Sequence, residues 1–193
     1  MRHVLSHFPM RAHAMNPPLV KEPPPTITFR DITEEHLPQL FEMRRDLSLQ
    51  ALLLTIPDGL DETTLRAWVE RRKSEIGGMF RIIVDTACGE AVGFIQVNSV
   101  HRKNRTGYGG ICLAARARNR GLGQAALREL IKVAGNELEL IKLLSEVRAD
   151  NFAALRAHLS VGYRLVGTLE NHFTDSKGKL YNVLLLERVL GGE

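Results

Sequence analysis

Between Leu113 and Leu138 the chain reads LAARARNRGLGQAALRELIKVAGNEL, a strand-like end running through an arginine-dotted, glycine-hinged turn into a helical pattern. Such a turn sets the backbone N–H groups of Arg118, Asn119, Arg120, Gly121, Leu122 and Gly123 in succession at a helix N-terminus. There the unpaired donors and the macrodipole both favour phosphate. Glycine at 121 and 123 omits Cβ atoms where a phosphate must approach the backbone, and Arg116, Arg118 and Arg120 can add charge-assisted hydrogen bonds. The chemistry indicated is the binding of a pyrophosphate. Downstream, Asn151, Ala154, Leu155 and His158 are spaced i, i+3, i+4 and i+7, so whatever Asn151 faces, His158 faces too. An imidazole with an ordinary pKa of about 6.5 can give a proton to a leaving group or take one from an amine.

Both groups need a framework. Thr26 to Arg30 alternates β-branched and aromatic residues and forms a first strand. Leu37, Leu40, Phe41 and Leu47 predict one helix from Thr33 to about Leu53. Pro57, Asp58 and Gly59 turn the chain into a second helix over Asp61 to Ile76, its apolar face made by Leu65, Trp68, Val69 and Ile76. Met79 to Asp85, Glu90 to Asn98 and Thr106 to Ala114 are strands at hairpin spacing and therefore antiparallel. A helix over Gly121 to Leu138 follows, then a buried strand over Leu140 to Val147. A short helix runs from a cap at Asp150 or Asn151 to Val161, and a hairpin of Tyr163 to Glu170 with Lys179 to Arg188 completes the chain. The class is α+β: a mixed central sheet with an antiparallel first half, a parallel crossover at its centre and about four flanking helices.

Composition narrows the partners. The chain has 193 residues, 44% hydrophobic and 25% charged, which suffices for one core. Residues 1–25 hold six of the eight prolines and read as a flexible leader; residues 26–193 form a single domain. Of the net charge of +4, Arg2, Arg11 and Lys21 against Glu22 place +2 in that leader. The +2 left for the body is too little to argue for nucleic acid, and an anionic small ligand is the better use of local arginines. His3, His7 and His13 have no fold to converge them, and Cys88 and Cys112 fall in no metal or disulfide spacing. No metal is expected, and both cysteines read as buried reduced thiols of a cytoplasmic protein. No apolar run reaches about eighteen residues, so no membrane span is expected.

Gly121, Gly123 and Ala126 also satisfy G-x-G-x-x-A, with Glu146 at a tolerable distance for a ribose contact, so a dinucleotide-binding protein is a remote alternative. That fingerprint requires the glycines to follow a first strand directly, whereas six residues separate Ala114 from Gly121 and antiparallel strands come before. A P-loop lacks its lysine and Ser/Thr pair.

The combination of Arg118-x-x-Gly121-x-Gly123 after a meander, a crossover strand, then Asn151-x-x-Ala154-Leu155 ending in Val161-Gly162-Tyr163 resembles the GNAT superfamily of acyl-CoA-dependent N-acyltransferases, over about Thr26 to Leu190. It is most similar to the branch that acetylates ribosomal-protein N-termini, polyamines and nucleotide-linked amino sugars. The resemblance implies that strands 4 and 5 splay and that the pantetheine arm of acetyl-CoA lies in the resulting V. Backbone groups near Cys112 and Leu113 would pair with its amides, the N–H groups from Arg118 to Gln124 would hold its pyrophosphate, and Asn151 would bond the arm from the other side. It further implies transfer of the acetyl group by direct attack of a primary amine in a ternary complex, and it allows a homodimer.

Family members often carry, four residues before the terminal glycine, a tyrosine that protonates the CoA thiolate; here that position is His158. Strand Thr106 to Ala114 lacks the carboxylate that several relatives use as base, leaving Glu146, Asn98 or Tyr108 to order a water. The implied acceptor groove involves the Ala51 to Leu60 loop and the last hairpin, near Glu42, Arg44, Arg45, Asp58, His172 and Asp175. Their mixed signs favour neither a polycation nor a polyanion. A small-molecule amine, an amino sugar or a peptide N-terminus remain open as acceptors. Two rival classes stand beside this one: a non-catalytic acyl-CoA-binding module, suggested by the missing tyrosine and carboxylate, and an RNA-binding accessory protein, suggested by the basic loop Arg102 to Arg105.

Overall fold

The computed structural model describes residues 26–191, so the proline-rich leader lies outside the described residues. Seven strands form one sheet in the order β1-β2-β3-β4-β5-β7-β6. They are β1 (Ile27–Arg30), β2 (Met79–Asp85), β3 (Glu90–His101), β4 (Thr106–Leu113), β5 (Lys142–Arg148), β6 (Arg164–Thr174) and β7 (Leu180–Val189). Every neighbouring pair is antiparallel except β4 and β5. The glycine turn thus follows the fourth strand of a meander, and the run of βαβ units that a dinucleotide fold needs is absent from the described residues.

Five α-helices cover the sheet: α1 (Leu37–Arg45), α2 (Leu47–Leu52), α3 (Glu62–Lys73), α4 (Leu122–Asn136) and α5 (Phe152–Ser160). The single first helix expected from the sequence is two. Asp46 takes an extended backbone and its carboxylate accepts from the Leu49 N–H, so it ends α1 and caps α2. The break changes the phase of the stripe. Leu37, Leu40 and Phe41 are buried as expected, with Arg44 one turn further on the same face, but past the break Leu47 is exposed and Gln50 turns inward. α3 stops at Lys73, three residues before Ile76, which is left exposed.

Residues on opposite pleats of β2, β3 and β4 feed two cores. Ile83, Ile95 and Val97 join Leu127, Leu130 and Ala134 of α4, with Leu143 and Val147 of β5. Phe80, Ile82, Phe94 and Cys112 face α1 to α3, where Trp68, Phe80 and Phe94 meet edge to face with centroids 5.3–5.9 Å apart. Of the two cysteines expected to be buried, Cys112 is and Cys88 is exposed, because it sits in the tight β2–β3 turn rather than on a strand.

Candidate active site at the splayed strands

The site begins where parallel pairing stops. β4 and β5 pair at Thr106↔Lys142, Gly107↔Leu143 and Tyr108↔Leu144 and then part. The Ser145 hydroxyl, just past the vertex, donates to the Gly109 carbonyl at 2.6 Å. Beyond it the facing edges of the two strands find no partner in each other, and the opening is a cavity of about 280 Å³. Its walls come from both sides of the sheet: Arg44, Gln50, Trp68 and Arg72 from α1 to α3, and Asn151, Ala154 and His158 from α5.

Strand alternation decides which β4 groups face the opening. The Ala114 N–H donates to Val92 of β3, whereas the Gly109 carbonyl points towards β5. Even-numbered residues therefore direct their backbone at β3, and Ile111 and Leu113 direct theirs into the V. Cys112 belongs to the first set: a Cβ built on Gly93 of β3 would stand 2.0 Å from the Cys112 carbonyl oxygen. Its backbone is thus taken by β3, and its side chain is sealed beneath α1, where burial pushes the thiol pKa up to about 12 and the Met43 sulfur lies 3.9 Å away. Ile111, which the sequence reading passed over, occupies the place given there to Cys112; the alternation within β4 was the signal that could have found it.

The glycine turn is built as an open set of donors. Asn119 (φ 60°) and Gly121 (φ 75°) are both left-handed, and α4 starts at Leu122. Among the described residues the N–H groups of Asn119, Arg120, Gly121, Leu122, Gly123 and Gln124 make no hydrogen bond to the protein. A Cβ on Gly123 would meet only Leu113 and Ile111 side chains, at 3.6 and 3.8 Å, so the protein itself leaves room for one.

The arginines of the turn are occupied by the protein. Arg116 donates to the Ala91 carbonyl at 2.8 Å, Arg118 to the Leu113 carbonyl at 3.2 Å, and Arg120 to the buried Asp85 carboxylate at 2.8 Å. They brace the loop on β2, β3 and β4, and the backbone amides remain the open donors of the turn. Of these arginines' nitrogens among the described residues, Arg118 Nη2 is both buried and without a hydrogen-bond partner.

Asn151, not Asp150, caps α5: its Oδ1 accepts from the Ala154 N–H at 3.2 Å, which leaves the side-chain NH2 free to donate into the cavity. Asp150 is drawn away by Arg148 at 2.6 Å. His158 is 5% exposed, and its Nδ1 lies 2.8 Å from the Ala154 carbonyl oxygen. A carbonyl can only accept, so Nδ1 carries the proton. Burial lowers the imidazole pKa below its ordinary value, the bond to Ala154 opposing in part. The ring is therefore neutral at pH 7, with Nε2 as a lone-pair nitrogen that no protein group satisfies. Beside it, edge-on at 5.0 Å, stands Tyr163, whose phenol is pushed up to about 12 by burial, with Ser145 and Arg188 opposing in part.

On the α1 to α3 side, Gln96, Asn98 and Tyr108 line the cavity together with Glu146, so the three groups considered for ordering a water are brought to one place. Of the polar residues expected near the acceptor, only Arg44 lines it. Arg45 is held by the Leu60 carbonyl and Asp58 by Arg71, while Glu42, His172 and Asp175 lie elsewhere.

Comparison with known proteins agrees with this geometry. The model of the acetyltransferase (GNAT) domain matches residues 26–164. The chain belongs to the GNAT acetyltransferase family. A solved GNAT-fold structure, the spermidine N-acetyltransferase of Vibrio cholerae in complex with CoA and spermine, superposes with a TM-score of 0.78 at 14% identity, covering 85% of this chain and 95% of that one. A probable acetyltransferase superposes at 0.72 with 21% identity, covering 85% and 93%. The L-amino acid N-acetyltransferase AaaT of Escherichia coli K12 is 29% identical over 103 residues, 52% of this chain. The chain spans 62% of that relative's length. No helix of the described residues is long and apolar enough to cross a membrane, and no group of three or more potential metal ligands occurs among them.

Proposed function

We propose that the protein transfers the acetyl group of acetyl-CoA to a small-molecule amine by direct attack in a ternary complex. The observation that carries this reading is the conjunction of a splayed β4–β5 pair with a row of unpaired amides at the start of α4. A pyrophosphate fits the amides of residues 119–124, helped by the orphaned Arg118 Nη2. An extended amide-bearing arm fits the free β4 edge at Ile111 and Leu113, with the Asn151 NH2 across from it. Acetyl-CoA has this shape and supplies an activated thioester.

The chain's own residues supply orientation and proton management. One amine proton leaves through a water held by Glu146, Asn98 or Tyr108, which share the acceptor side of the cavity. After attack, the neutral Nε2 of His158 takes the second proton from nitrogen and returns it to the departing sulfur, so the proton balance closes with His158 unchanged. This assigns His158 a relay role in place of a resident acid: a buried neutral imidazole has no proton on Nε2 to give until it has received one. Similarity to an L-amino acid N-acetyltransferase and to a spermidine N-acetyltransferase supports a small-molecule amine as acceptor. Release of CoA thiol from acetyl-CoA, measured against an amine panel with the full chain, tests the reading; the non-catalytic alternative gives binding without thiol release.

A further inference from the structure

The acceptor side of the cavity contains a charge that the protein leaves uncompensated. Arg44 is 7% exposed, yet among the described residues no carboxylate lies within ion-pairing distance of it. Its guanidinium lies 5.1 Å from the Trp68 ring, and only Nη1 is bonded, to the neutral Gln50 Oε1 at 2.5 Å and Thr55 Oγ1 at 3.1 Å. Among the described residues Nε and Nη2 take no protein acceptor and neither is fully buried, and Arg44 is a lining residue of the cavity. Arg72 lines the same cavity, its own partner Glu75 standing 3.6 Å away at the partly exposed end of α3.

Holding a guanidinium largely out of bulk water with no directly paired anion is costly, and a second cation beside it adds to the cost. Burial, then Arg72, press the Arg44 pKa downward and the more distant Asp58 opposes them only in part, but an arginine cannot shed its proton within any working pH range. The conformation is also fixed in advance. Gln50 holds Arg44 at one end and donates to the Met43 carbonyl at 2.8 Å at the other, so the break at Asp46 that turns Gln50 inward also aims the guanidinium. A planar pair of donors pre-set in this way matches a carboxylate, which accepts two parallel N–H bonds.

We propose that the acceptor is an amino acid, its carboxylate held by Arg44 with Arg72 behind it and its amine directed along the cavity towards Glu146 and the V. This rests on the acetyltransferase reading and narrows it. A polyamine such as spermidine, a polycation, is repelled by the same two arginines.

The test uses the full chain, saturating acetyl-CoA and thiol release. The twenty L-amino acids are compared with their primary amides and decarboxylated amines, and spermidine is added. At least one amino acid is turned over with kcat/KM about 10-fold to 100-fold above its own amide and amine, the range expected for a charge-assisted pair. Arg44→Met collapses that ratio chiefly through KM, Arg44→Lys restores part of it, and stabilisation by acetyl-CoA serves as the control that both variants fold. Amides, decarboxylated amines or spermidine used as well as any amino acid by the unaltered protein overturn the inference, whatever the variants do. In that event thiol release still upholds the acetyltransferase reading; absence of both stabilisation by acetyl-CoA and thiol release overturns the two together.

Discussion

The Nδ1 of His158 lies 2.8 Å from the carbonyl oxygen of Ala154, one helical turn back, and this single contact determines which ring nitrogen can work. Because Nδ1–H is spent on Ala154, Nε2 is left as the acceptor nitrogen while the ring is neutral, and the proposed proton relay must run through it.

The first prediction follows from that state. His158→Ala lowers kcat about 100-fold or more, the usual loss of a proton-transfer group, while acetyl-CoA affinity stays within about threefold. In the unaltered enzyme kcat falls as pH drops, with a midpoint below about 6.5, because protonation occupies Nε2. The sign for stability is the same. A histidine whose folded pKa is depressed favours the folded state fully above about pH 6.5, and that contribution is lost as pH falls towards the folded pKa. A rate that instead declines as pH rises through the histidine range, and keeps doing so in His158→Gln, assigns the titration elsewhere.

The two glycines of the turn should separate. Gly121 is left-handed at φ 75°, so Gly121→Ala costs about 1–2 kcal/mol of stability and displaces the amides. Gly123 lies in the first turn of α4 with room for a Cβ, so Gly123→Ala raises the melting temperature of the ligand-free protein, by up to about 1 kcal/mol in stability, while weakening acetyl-CoA binding. Calorimetry with and without acetyl-CoA reads both effects. Tighter binding by the alanine variant contradicts the assignment of this turn.

Arg120 is expected to act through stability. Its guanidinium bonds Asp85 at 2.8 Å, and Asp85 is 1% exposed with its other oxygen held by the Ala87 N–H at 3.0 Å. Arg120→Met leaves a buried carboxylate half satisfied and lowers stability by about 1–3 kcal/mol. The KM for acetyl-CoA rises less than about threefold, since the backbone amide is retained. Denaturant titration and steady-state kinetics together check this; a larger loss in KM with unchanged stability points to a side-chain contact with the ligand.

Glu146 is the carboxylate lining the acceptor side, on β5 rather than β4. Glu146→Gln lowers kcat/KM for the acceptor about tenfold or more at pH 7, and raising the pH towards the amine's own pKa recovers the loss because the amine then arrives deprotonated. A deficit that persists unchanged to pH 10 removes Glu146 from the proton path.

Most of the framework was legible because its signals are local. Strand β2 has the bounds that its β-branched run predicts, and α4 and α5 follow their apolar stripes. The failures have physical causes beyond a periodicity window. The α1–α2 break depends on a single carboxylate, Asp46, folding back onto the Leu49 amide, and a hydrophobic stripe does not register it. Arg44 is buried by the stripe of α1 itself, seven residues on from Leu37, and the break supplies its partner Gln50; sequence reasoning placed Arg44 near the acceptor only as one polar residue among several of mixed sign. The arginines of the turn show the opposite limitation. Their spacing suggests an anion, but their partners, Ala91, Leu113 and Asp85, are residues of β2, β3 and β4, and only the folded sheet reveals that they are occupied.

The most direct test of the central claim is calorimetric binding of acetyl-CoA to the full chain, paired with a melting curve. The account predicts one site per chain and, at about 100 times the dissociation constant, a stabilisation of about 2.7 kcal/mol, or a melting shift of roughly 5–10 °C for a domain of this size, abolished when Gly121 is replaced. No heat and no shift with acetyl-CoA, free CoA or any longer acyl-CoA would contradict it.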